Sequence, residues 1–99
     1  HPFLHRSARL HMADDKNMVT EFVRQELLHG RKVTLTDETD LLNAGIIDSL
    51  GILRMVSFIE EQTGLQVPDE DVVFEHFQSI RAIAEYIALR RQAQESTSA

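Results

Sequence analysis

The stretch Asp40-Leu-Leu-Asn-Ala-Gly-Ile-Ile-Asp-Ser-Leu50 runs directly into Gly51-Ile-Leu-Arg-Met-Val-Ser-Phe-Ile-Glu-Glu-Gln-Thr-Gly64, and this junction decides the fold. Counted from Ile52, Met55, Val56 and Ile59 fall at i+3, i+4 and i+7, the inward stripe of a 3.6-residue repeat. The spacing predicts a helix from about Ser49 to Gln62. Gly64 supplies its stop, because glycine enters the left-handed conformation at a helix C-terminus without steric cost. At the other end Asp48 or Ser49 can cap the free backbone N–H groups, which puts Ser49 on the first turn with its hydroxyl toward solvent. A phosphate linked through that serine would meet unpaired N–H donors and the positive end of the macrodipole, worth about 0.3–1 kcal/mol at an exposed site.

Leu50, Arg54, Ser57 and Glu61 project from the opposite stripe, and Leu50 offers an approaching protein something apolar to bury. We read this stripe as a docking surface. The tripeptide Asp48-Ser49-Leu50 alone is also how ordinary helices begin, so its meaning depends on what surrounds it.

Upstream, Val19, Phe22, Val23 and Leu27 make the apolar face of a first helix from about Asp15 to His29, which Gly30 ends. Residues 31–47 form a long connection, broken by one turn around Leu41 after the cap candidates Thr39 and Asp40. Val33, Leu35, Leu41, Leu42, Ile46 and Ile47 can anchor it, and Gly45 permits the bend that delivers the chain to Asp48. Downstream, Pro68 suits a turn or a helix start. Asp69, Glu70 and Asp71 then read as the acidic start of a short third helix that packs Val72, Val73, Phe74 and Phe77 across the bundle. Ser79 caps a fourth helix with Ile80, Ile83, Ala84 and Ile87 inward and Arg90 and Arg91 near its end.

The ends differ from the middle. Residues 1–12 hold three histidines, two arginines and no acid, show no helical period, and read as an expression tag and cloning remnant. Residues 13–91 are the expected domain, and the polar, small residues 92–99 are expected to fray.

Ninety-nine residues suffice for one small domain, too small to enclose a deep catalytic cavity beside its core. Apolar runs are far shorter than a membrane span. With no cysteine there is no disulfide framework and no cysteine-based metal or redox centre, which fits a cytoplasmic protein. The net charge of −6 is concentrated between Asp40 and Phe77, where Arg54 is the single base among eight acids. That field repels nucleic acid and anionic membranes and favours partners with basic patches.

No metal or catalytic set emerges. His29 and His76 lack a metal-ligand spacing, and His1, His5 and His11 belong to the tag-like end. Glu60 and Glu61 diverge by about 100° on a helix, so they cannot share one reacting atom, and the 69–71 acids lack the spaced ligands of a calcium loop.

The sequence Leu41 to Leu50, the helix end Ile59-Glu-Glu-Gln-Thr-Gly64, then Val67-Pro68-Asp69, Phe74-Glu-His-Phe-Gln-Ser-Ile80 and Ile83-Ala-Glu-Tyr86-Ile87 occur in the order found in carriers. From about Val19 to Ile87 the chain resembles the acyl carrier protein family. The resemblance implies an all-α, four-helix carrier bundle with a long loop between helices 1 and 2 and a short third helix. It implies that Ser49 accepts 4′-phosphopantetheine from coenzyme A and that the thiol of this arm holds an acyl or aminoacyl group as a thioester. Asp48, Leu50, Leu53, Arg54, Ser57 and Glu61 are the implied recognition residues. The implied partners are a phosphopantetheinyl transferase, an acyl- or aminoacyl-activating ligase and downstream acyl-processing enzymes, with the carrier a monomer and not itself an enzyme.

Two departures matter. Gly51 and Arg54 stand where common carriers of this kind have acids on the recognition helix, and glycine there weakens the first turn by about 1 kcal/mol relative to alanine. The run Phe74-Glu-His-Phe-Gln-Ser-Ile80 is similar to carriers of polyketide and non-ribosomal-peptide pathways, so a specialised discrete carrier, with an aminoacyl group as one possible cargo, is expected over a housekeeping one. The rival from another class is a small helical interaction module in which Ser49 is only a cap. A stand-alone enzyme lacks a convergent acid–base or metal set.

Overall fold

The computed structural model describes the backbone of residues 2–97 and the side chains of residues 12–94, so the remaining side chains, those of His1, His5 and His11 among them, lie outside what is described. The architecture is all-helical: α1 (Pro2–Phe22) continuing into a π turn (Val23–Leu27), α2 (Ser49–Thr63), a 3₁₀ turn (Asp69–Asp71), α3 (Phe74–Phe77) and α4 (Ile80–Thr97). No strand occurs among the described residues.

The core is the one the periodicities require. Val19, Val23 and Leu27 meet Ile52, Met55 and Ile59 of α2 and Ile80, Ile83 and Ile87 of α4, all of them buried. Burial of each such side chain contributes about 1.5–3 kcal/mol, which is what holds helices of this length in water. Gly64 ends α2 at φ 73°, its N–H donating to the Glu60 carbonyl. Ser79 Oγ accepts the Ala82 N–H at 3.0 Å and so caps α4.

Three elements differ from expectation. Helix α1 starts at Pro2 rather than near Asp15, so backbone in which no helical period was read continues the helix. At its other end Leu28 N–H bonds the Val23 carbonyl five residues back. That wider turn rotates the chain so that two consecutive leucines, Leu27 and Leu28, are both buried. The left-handed pair His29 (φ 50°) and Gly30 (φ 83°) then terminates it. The acids Asp69, Glu70 and Asp71 form the 3₁₀ turn rather than the start of α3, which is a single turn. Val73 and Phe74 accordingly face solvent, and only Phe77 of the expected packing set is fully buried. Helix α4 continues past Gln92 to Thr97 where fraying was expected. Its Arg91 forms a two-pronged ion pair with the buried Asp15, Nη2 lying 2.9 Å from Oδ1, which fastens α4 to α1.

Candidate functional site

The site begins with how the long connection reaches α2. Asp40 Oδ1 accepts the Asn43 N–H at 3.0 Å, closing the expected turn, and the accepted hydrogen bonds hold the Asp40 carboxyl below the usual carboxylate range. Gly45 then turns at φ 69°, and the N–H groups of Ile46 and Ile47 both donate to the Leu41 carbonyl, at 2.9 and 3.0 Å. Leu41 is itself tied to the start of α4, its N–H donating to the Gln78 carbonyl at 2.9 Å. With Leu41, Ile46 and Ile47 all buried, the next two residues emerge at the surface from a firmly held base.

Asp48 is extended (φ −124°, ψ −171°), and its Oδ1 accepts the Gly51 N–H at 2.8 Å. The cap is therefore Asp48. Ser49 is left exposed as the first residue of α2, with no hydrogen bond to its hydroxyl among the described residues.

Gly51 corrects an expectation. It is buried beneath Ile47, and a Cβ there would stand 2.9 Å from Ile47 Cγ1 and 3.3 Å from Asp48 Oδ1. Its lack of a side chain lets Ile47 lie across the first turn while Asp48 caps it, so it does not face partners and its local propensity cost is offset by that packing.

The other expected recognition residues divide among three surfaces. Leu53 shares an apolar cleft of about 450 Å³ with Ser49, Ile52, Val72, Val73 and Phe74. Leu53 also joins Arg54, Ser57 and Glu61 in a wider groove of about 610 Å³ between α1 and α2, floored by Phe22 stacked on Phe58 at 4.2 Å. Asp48, Leu50 and Arg54 border a third cleft with His29 and Arg31. Leu50 and Leu53 are 68% and 56% exposed, large values for leucine. Arg54 does not swing free: its Nη1 donates to the Glu26 carbonyl at 3.2 Å and its Nη2 lies 3.8 Å from Glu26 Oε2, at the C-terminal end of α1. Three of the four residues of the outward stripe, Arg54, Ser57 and Glu61, thus line one groove, and Arg54 also borders the cleft of Leu50.

The far wall of the apolar cleft hangs from Tyr86. This buried phenol donates to Asp71 Oδ2 at 2.7 Å, and its ring lies 4.6 Å from that of His76. Burial, then the bond to Asp71, pushes the Tyr86 hydroxyl well above the usual tyrosine range.

A free hydroxyl at a helix N-terminus, beside an apolar cleft, suits an arm that begins in a phosphodiester and continues into an apolar-tolerant chain. Among the described residues no group of acids or histidines could hold a metal ion. Comparison with known proteins places this geometry: residues 20–87 match the model of the family described as phosphopantetheine attachment site. The chain belongs to that family, whose members carry 4′-phosphopantetheine and act as carriers rather than catalysts. No curated protein matches the chain. The solved structures it resembles include a chain of one described as "Crystal structure of FAD-dependent dehydrogenase", at 33% identity and TM-score 0.61, covering 68% of this chain and 94% of that one.

Sequence reasoning missed several members of the site. Arg31, His29 and the buried role of Gly51 all depend on the connection folding back on α2, for which no local periodicity exists. The exposure of Phe74 was masked by its place in an apolar run.

Proposed function

We propose that Ser49 bears the 4′-phosphopantetheine and that the chain is a discrete carrier, shuttling an acyl or aminoacyl group between an activating ligase and downstream enzymes. The observation that carries this is the Ser49 hydroxyl, exposed and unbonded because the preceding Asp48 does the capping. Ser49 Oγ attacks the coenzyme A phosphorus next to the pantetheine, its proton passes to the transferase, and 3′,5′-adenosine bisphosphate leaves. The arm supplies the thiol that forms the thioester. The chain's own contribution is to hold the attachment point rigid, to lay an apolar cleft beside it, and to present Leu50 and Leu53 to clients. Among the described residues no helix is long and apolar enough to cross a membrane. Coenzyme A-dependent loading suits a cytoplasmic setting.

The test is intact mass after incubation with coenzyme A and a broad-specificity phosphopantetheinyl transferase. The parent should gain one phosphopantetheine and Ser49→Ala none. A folded parent that stays unmodified would leave the interaction-module reading, with Ser49 as a mere first-turn residue.

The likeness to a chain from a flavoprotein dehydrogenase structure supports one finer reading of the downstream partner. A flavoenzyme there would take a hydride and a proton from the thioester-bound group, its flavin being reduced as the cargo becomes unsaturated.

A further inference from the structure

Cations are scarce on this acidic protein, and half of those whose side chains are described are matched by a carboxylate. Lys16 pairs with Asp37, Arg54 with Glu26, Arg81 with Glu38 and Arg91 with Asp15. Arg24, Arg31, Lys32 and Arg90 have no ion-pair partner among the described residues; Arg90 stands apart on α4, donating to the Gln66 carbonyl, whereas the other three gather in one place. Arg31 borders two adjoining clefts, one shared with Arg24 and Lys32, the other with Leu50, His29 and Arg54 beside Ser49. Its guanidinium is held by carbonyls, Nη2 donating to the Gly45 oxygen at 3.1 Å, which orients the charge without neutralising it. The acids Asp69, Glu70, Asp71 and Glu75 border neither cleft. Asp48 is the one carboxylate lining either cleft, and it is already engaged by the Gly51 amide, while Glu26 is engaged by Arg54.

The linear charge count therefore hides a division: the flank of Ser49 toward the end of α1 is locally positive and has a bare leucine at its edge. A leucine 68% exposed beside uncompensated cations is the pattern of a protein contact, an apolar anchor with a charged rim that sets orientation. Building on the reading of Ser49 as the attachment point, we propose that Leu50 with Arg24, Arg31 and Lys32 forms a docking surface for an acidic polypeptide surface on a partner enzyme, one whose carboxylates surround the channel that receives the arm. This is the reverse of the polarity that the overall charge suggests.

The test follows backbone amide shifts of isotope-labelled protein at low ionic strength, with acetylated octaglutamate as the probe and 3′,5′-adenosine bisphosphate as the rival anion. Octaglutamate should move the amides of residues 24–32 and Leu50 and leave those of 69–75 in place. Arg24→Glu combined with Lys32→Glu, which removes no structural contact, should weaken binding about tenfold. The proposal is overturned if octaglutamate moves nothing there, if the charge reversal changes nothing, or if the bisphosphate saturates the same amides at lower concentration. Treating both proteins with coenzyme A and transferase separates the two readings. Absence of a mass gain sinks the carrier assignment, whereas a gain without mapped shifts sinks the docking surface alone.

Discussion

The two flanks of Ser49 are built by opposite means. On one side, residues 45–51 are locked: two isoleucines buried to 5% or less, two amides sharing the Leu41 carbonyl, and a glycine pressed against Ile47. On the other side, residues 68–77 make only a 3₁₀ turn and one turn of helix, leave Val73 and Phe74 exposed, and hang from α4 through Tyr86 and Phe77. With Ser49 as the proposed attachment point, a carrier has to hold it fixed while leaving room for the arm and for changing partners, and here the two demands fall on different segments. Local stability should therefore be high on the first flank and low on the second.

The largest expected effect comes from breaking the locked flank. Gly51→Val must push Ile47 out of its seat and disturb the Asp48 cap, so a loss of about 1–3 kcal/mol is expected in denaturant unfolding. A variant as stable as the parent would show that Ile47 is not held there. A smaller effect is expected on the hanging flank from Tyr86→Phe, which deletes only the hydroxyl that donates to Asp71. Asp71 is half-buried and can turn to water, so the loss should be about 0.5–1.5 kcal/mol.

The same variant has a pH signature. The folded chain keeps Tyr86 protonated above the ordinary value of 10.0, while the unfolded chain ionises there. The contribution of this tyrosine is thus fully present below that pH and declines as pH rises beyond it. Urea midpoints on either side of pH 10.0 should fall for the parent and fall less for Tyr86→Phe. Equal slopes would mean that the hydroxyl is no more protected than in the unfolded chain.

The smallest effect on stability should come from Phe74→Ala, within about 0.5 kcal/mol, because this phenylalanine is 58% exposed. Its consequence should instead appear in turnover by client enzymes of the loaded carrier, since Phe74 forms a wall of the cleft beside Ser49. A large loss of stability here would erase the contrast between the flanks.

Much of this was legible in the chain. The stripe Ile52, Met55, Val56, Ile59 with Gly64 after it defines α2, because helix periodicity and a left-handed stop are local properties. The Ser79 cap and the turn opened by Asp40 were readable for the same reason. The π turn was not, since it exists only because Leu27 and Leu28 both find the core. Phe74 misled for the converse reason: an aromatic residue in an apolar run reads as buried, and only the short α3 exposes it. The Asp15–Arg91 pair joins residues 76 apart, beyond any local pattern.

By itself the sequence determined the helical class, the position of Ser49 at the start of α2 and the family that carries 4′-phosphopantetheine, because caps, stops and periodic stripes act over a few residues. Only the tertiary structure decided that Asp48 takes the cap and frees the serine hydroxyl, that Gly51 is packing rather than recognition, and that Arg24, Arg31 and Lys32 stand unpaired together near Leu50. Each of these depends on where the long connection lies against α1 and α2, and that is set by the burial of Leu41, Ile46 and Ile47 in a core assembled from distant helices.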